Sequence, residues 1–196
     1  MFGKILITIL ISFSCVSPAW ARWHLDPREF KSEFHAGALD LKLRGVGVKT
    51  LFMMRLFVAA FYVMPQVQVN DVLNDVPKHL EVKFYTYIPS AAFTNYTIDR
   101  MKANVSIEEF NGLRNRFKRM GELFPNIVNG DVLTLTYEPG KGTTFVHNGM
   151  VRGSIEGADF AKAIFATWIG PKPFDHILKN QVLGLDRVGQ VMPSKQ

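Results

Sequence analysis

Alternation of apolar and polar residues with a period of two marks the strands of this chain. From Val132 to Tyr137, Val132, Thr134 and Thr136 face one way and Leu133, Leu135 and Tyr137 the other, as a half-buried strand requires. Pro139, Gly140 and Gly142 turn the chain into a second strand, Thr143 to His147, which meets a third, Met150 to Ile155, across Asn148-Gly149. That dipeptide best tolerates the two positive φ angles of a type I′ hairpin, so the region predicts a three-stranded meander. Leu39 to Lys49 and Phe52 to Met64 predict two long strands, the second ended by Pro65. Gly45 and Gly47 interrupt the first and signal a bulge or the close approach of another group. His79 to Tyr87 predicts a further strand with Leu80, Val82 and Phe84 on one face.

The period changes to that of a helix in three places. Pro89-Ser90 opens a helical region that runs to about Val105. Ser106 and Glu109 form a capping-box pair, in which the serine oxygen accepts a backbone N–H and the glutamate reaches back to the N-cap amide. The helix they start places Ile107, Phe110, Leu113, Phe117 and Met120 on one stripe and the basic cluster Arg114, Arg116, Lys118 and Arg119 off it. From Asp159, Phe160, Ile164 and Trp168 share a face until Gly170 and Pro171 stop the helix. The elements add up to an α+β fold, a mainly antiparallel sheet of about six strands with helices packed on one face.

The N-terminus changes the address. Lys4, an apolar run from Ile5 to about Val16 and the Ala19-Trp20-Ala21 site are the three parts of a secretory signal peptide. The run is shorter than the roughly 20 residues a membrane span needs. The expectation is a signal peptide over residues 1–21 and a single domain over 22–196, located in the periplasm or secreted. Cys15, the one cysteine, falls in the removed segment, so the mature chain has neither a disulfide framework nor a thiolate metal site. The net charge of +6 would suit nucleic acid in the cytoplasm. Export argues against that partner and leaves an anionic membrane surface, touched peripherally through the basic cluster, or a small anion. Sixteen phenylalanines supply aromatic surface for a cleft, a core or both.

The common catalytic signatures are missing. His24, His35, His79, His147 and His176 are scattered without metal-ligand spacing, so no metal is expected. Gly153-Ser154 lacks the intervening residue of a serine elbow, and Gly140-Lys141-Gly142 lacks the spacing of a phosphate loop. Nothing calls for a cofactor.

Taken in order, Leu43 to Lys49, Arg55 to Tyr62, and Asp159 to Gly170 followed by Pro173 to Gly184 resemble the chalcone-isomerase-like family, in particular its bacterial secreted members. The matches span nearly everything after about residue 35. The resemblance implies an open-faced β-sandwich whose ligand cleft lies between the large sheet and the helical layer. Plant chalcone isomerases close a phenolate onto an enone with a cation and preorganised donors. At the matching positions this chain has Lys49 for their arginine and Phe57 for a threonine or tyrosine. It has Tyr96 or Thr97 for a tyrosine, Asn104 for an asparagine and Thr167 for a threonine. Lysine keeps the charge but loses the bidentate fork, and Phe57 has no hydroxyl.

The altered donors point away from catalysis. The implied function is a non-catalytic binder of a small amphipathic anion, with a fatty acid as the leading candidate. Lys49 would supply the charge, and Tyr62 or Tyr96 would supply the hydroxyl that Phe57 lacks. The alternatives are an isomerase, an intramolecular lyase acting on a chalcone-like aromatic enone, and a scaffold whose cleft is filled with phenylalanine.

Overall fold

The computed structural model describes residues 30–186. The expected signal segment, Cys15 and His24 therefore lie outside the described residues. One seven-stranded sheet runs in simple meander order, β1 (Glu33–Ala36), β2 (Leu39–Leu51), β3 (Met54–Val63), β4 (Lys78–Phe84), β5 (Val132–Glu138), β6 (Gly142–His147) and β7 (Met150–Ile155). Every neighbouring pair is antiparallel. Between β4 and β5 the chain inserts α1 (Ser90–Asn104), α2 (Ile107–Gly112) and α3 (Arg114–Leu123). After β7 come α4 (Ala158–Ile169) and α5 (His176–Val182). The fold is α+β, and no helix of the described residues is long and apolar enough to cross a membrane.

Strand alternation decides which side chains meet the helices. On β3, Phe57, Ala59, Phe61 and Val63 join the main core with α1, α3 and α4, whereas Val58, Ala60 and Tyr62 form a smaller cluster with Phe30, Leu41 and Val46 on the opposite face. On β5, Leu133, Leu135 and Tyr137 are buried as the alternation requires. Phe61, Phe84, Phe145 and Phe160 are fully buried, each contributing about 1.5–3 kcal/mol by leaving water. Most of the aromatic surface is thus core.

The two glycines of β2 are explained by α5. A Cβ on Gly45 would collide with the carbonyl oxygen of Gln181, and one on Gly47 would come within 2.8 Å of Leu178 Cδ1. The register also shifts between Leu43 and Gly45, so the strand both bulges and admits a helix against its backbone. That contact brings residue 175, at the start of α5, to the end of β2.

Several boundaries differ from the sequence reading. The strand expected from Phe52 begins at Met54, because Phe52 and Met53 form the turn with φ of 46° and 65°. Left-handed backbone costs a bulky residue about 1–2 kcal/mol, so no local preference predicts a turn here. The strand expected to reach Tyr87 ends at Phe84. β1, four residues long, is too short to show a period. The helix begun by the capping box, which is present, breaks at Leu113 into α2 and α3. Ile107, at the start of α2, is exposed, while Phe110 packs against the core and Leu113, Phe117 and Met120 are buried. Asn148 and Gly149 have φ of 50° and 78°, as a type I′ turn requires.

Candidate functional site

A cavity of about 360 Å³ opens between the start of β3 and the helical layer. This lies at the small end of the range for ligand clefts, about 300–1,000 Å³. Leu56 and Phe57 of β3 form one wall, Ala92, Phe93 and Tyr96 of α1 the other, and Trp168 of α4 and Phe174 close it beside Ile88. The rings interlock: Trp168 meets Phe57 edge-on at 5.7 Å and Phe174 at 4.8 Å, and Tyr96 stacks on Phe174 at 5.1 Å. Among the lining residues, those whose side chains carry a polar group are Lys49, Tyr96 and Trp168.

Lys49 reaches the cleft because it shares the helix-facing side of β2 with Gly45 and Gly47 and pairs with Phe57 across the strands. Its Nζ donates to Asp175 Oδ2 at 2.6 Å. Asp175 is also the N-cap of α5, accepting from the Leu178 N–H at 2.8 Å. Burial raises the Asp175 pKa, but the hydrogen bonds from Lys49 and the backbone, with the lysine charge, outweigh it and hold the carboxyl below its ordinary value. The one cation on the lining therefore arrives already paired.

The other positions suggested by the resemblance divide clearly. Phe57 and Tyr96 line the cleft with Lys49. Tyr62 does not, since it lies on the opposite face of the sheet, fully buried, and cannot supply a hydroxyl near Lys49. Thr97 and Thr167 are buried in their helices and donate to the carbonyls of Phe93 (2.8 Å) and Ile164 (2.6 Å). Asn104 donates to the carbonyls of Arg100 and Lys172, and its oxygen accepts the Lys172 N–H. It fastens the 170–174 loop, which carries Phe174 to the cleft, and so positions the wall without touching the space inside.

One contributor was not legible in the sequence. Asp175 looks like a simple helix start, and only the packing of α5 on β2 brings it to Lys49. Arg100, one turn after Tyr96, holds its guanidinium 5.6 Å from that ring, with its buried Nε lacking a hydrogen-bond partner among the described residues.

Elsewhere several charged groups are engaged by neighbours. Arg116, from the basic cluster, donates to Asp159 at 2.7 and 2.5 Å and to the Glu156 carbonyl, and Arg119 pairs with Glu122. The cluster expected to touch a membrane is thus partly neutralised by its own surroundings. Glu33, His35 and Asp40 gather on the β1–β2 hairpin, but the Lys42 ammonium sits on Glu33 at 2.8 Å, and the group reads as a surface charge network.

A profile of the chalcone isomerase-like family matches residues 25–184. The chain belongs to the chalcone isomerase-like family. The family's fold has a solved counterpart in the crystal structure of a fatty-acid binding protein of Arabidopsis thaliana, which superposes with a TM-score of 0.61 at 16% identity. The match covers 79% of this chain and 90% of that one, and at this identity it establishes the shared fold. No curated protein matches the chain by sequence.

Proposed function

We propose that this family member is a non-catalytic binder, exported to the periplasm or beyond, of one small amphipathic anion such as a fatty acid. The observation that carries the reading is the composition of the cleft: an apolar space walled by interlocked rings, with one ammonium at its edge. An acyl chain needs only apolar area, worth about 0.8 kcal/mol per buried methylene. The Arabidopsis thaliana structure with the same fold is that of a fatty-acid binding protein, which supports the ligand class.

An isomerase would need donors converging on a developing oxyanion. Of the donors carried over from the plant enzymes, Thr97, Asn104 and Thr167 give their hydrogens to backbone carbonyls and Lys49 is paired with Asp175, which leaves the Tyr96 hydroxyl without a converging partner from that set. This favours the binder over the intramolecular lyase.

The test uses protein stripped of lipid and titrated with medium-chain fatty acids, followed by calorimetry. Saturable one-to-one binding is expected. Ala92→Trp, at an exposed position on the mouth, should abolish it without loss of stability. Binding that survives a blocked mouth would place the ligand elsewhere, and turnover of a chalcone above the buffer rate would favour the enzyme. Export is tested separately, by intact-mass measurement of the secreted chain, which should begin at Arg22.

A further inference from the structure

The β2–β3 hairpin ends in four apolar residues that nothing in the described chain covers. Phe52 is 88% exposed, Met53 76% and Met54 63%, with Leu51 beside them. Single exposed hydrophobics are ordinary, but four in succession at a protruding tip are not. Phe52 and Met53 also both hold left-handed backbone, an arrangement that Asn-Gly would adopt without strain. A tip that is both apolar and strained, yet has no packing partner among the described residues, gains nothing from their fold.

Its surroundings indicate what it meets. Between Asp40 and Asp71 the chain carries no acidic residue, and Arg55 follows the tip directly; Lys49, further back, is balanced by Asp175. Arg55 lies over the Tyr85 ring at 4.9 Å and Lys83 at 5.8 Å, and Tyr87, two residues on, is 62% exposed. An apolar point collared by cations and tyrosines is the chemistry of an interfacial anchor, because tyrosine favours the headgroup level and basic residues favour anionic lipid. The cleft lies directly behind. Lys49 and Leu56, three residues back from the turn on either strand, line it, so at 3.3 Å per residue its mouth stands about 10 Å from the tip. That distance matches the 5–10 Å to which interfacial segments bury. A second copy of the chain fits poorly, since a two-fold contact through this tip would bring like charges together.

We propose that residues 51–54 insert into an anionic lipid surface and set the mouth of the cleft at headgroup level. Docking of the tip does not depend on what the cleft holds, so it is tested without cargo. The mature protein is sedimented with vesicles of equal phosphatidylcholine and phosphatidylglycerol, and with phosphatidylcholine alone. Binding to the anionic vesicles should be at least tenfold tighter than to the neutral ones and should weaken about fivefold in Arg55→Gln. The double variant Phe52→Asn, Met53→Gly should lose at least tenfold while melting no lower than the parent, because it relaxes the turn. Phe52→Trp should emit as a solvent-exposed indole in buffer and shift to the blue on adding anionic vesicles. Vesicle binding indifferent to the double variant would overturn the proposal. Emission already blue in buffer would do the same, because it would show the tip covered by another part of this chain or by a second copy.

Discussion

The ammonium of Lys49 and the carboxylate of Asp175, 126 residues apart in sequence, meet at 2.6 Å at the edge of the cleft. On the proposed reading an incoming carboxylate would meet a cation whose charge is already balanced, and Asp175 would compete with it.

Asp175→Asn should therefore tighten fatty-acid binding. It leaves Lys49 without its anion while preserving the N-cap, since asparagine caps as well as aspartate. A hydrogen bond to a charged group is worth about 1.5–3 kcal/mol, and a gain of about tenfold in calorimetric affinity is expected. Lys49→Met should weaken binding by less than tenfold, because the wild-type lysine is shared. Weaker binding in Asp175→Asn would show that the carboxylate does not lie at Lys49.

Gly45→Ala should destabilise by more than about 2 kcal/mol. The added methyl has backbone against it rather than a movable side chain, and overpacking typically costs about 1–3 kcal/mol. Because α5 must move to relieve the clash, Asp175 would move with it. Urea denaturation checks the stability, and an unchanged midpoint would mean that α5 packs elsewhere.

Gly149→Val should cost more than about 1 kcal/mol, since it forces a β-branched residue to the φ of 78° held by Gly149. Asn148 in the same turn accepts the Val132 N–H at 2.8 Å and donates to Asp131, so strain there also loosens the start of β5. Thermal melting is the check.

Stability should fall as the pH drops from about 6.5 to 4.5. His79 is 2% exposed, stacked on Phe34 at 3.7 Å and bonded through Nδ1 to Thr136 Oγ1, and burial pushes its pKa down to about 3. In this window the unfolded chain takes a proton that the folded chain refuses. The contribution is therefore whole above pH 6.5 and is lost at up to about 1.4 kcal/mol per pH unit below it. The paired carboxylates Asp131 and Asp159, held below their ordinary values in the balance of burial and hydrogen bonding, add their own loss only at lower pH. His79→Gln should flatten the profile between pH 6.5 and 4.5, as read by denaturation midpoints at each pH.

Local chemistry determined much of this protein by itself. The alternation of β5, the Asn148-Gly149 turn, the Ser106 to Glu109 capping box and the stop at Gly170 all depend on neighbours a few residues away, so they could be read directly from the chain. The matches from Leu43 to Gly184 likewise pointed to the family. What the sequence could not decide was the far side of each contact. Tyr62 and Phe57 sit five residues apart on one strand, so the pleat sends them to opposite faces, but only the placing of the helical layer decides which of the two reaches the cleft. The turn at Phe52-Met53 opposes local preference, and pairing of the long strands on either side imposes it. Asp175 became the partner of Lys49 only because glycines in β2 let α5 lie against the sheet, a contact made across more than a hundred residues that no local pattern records.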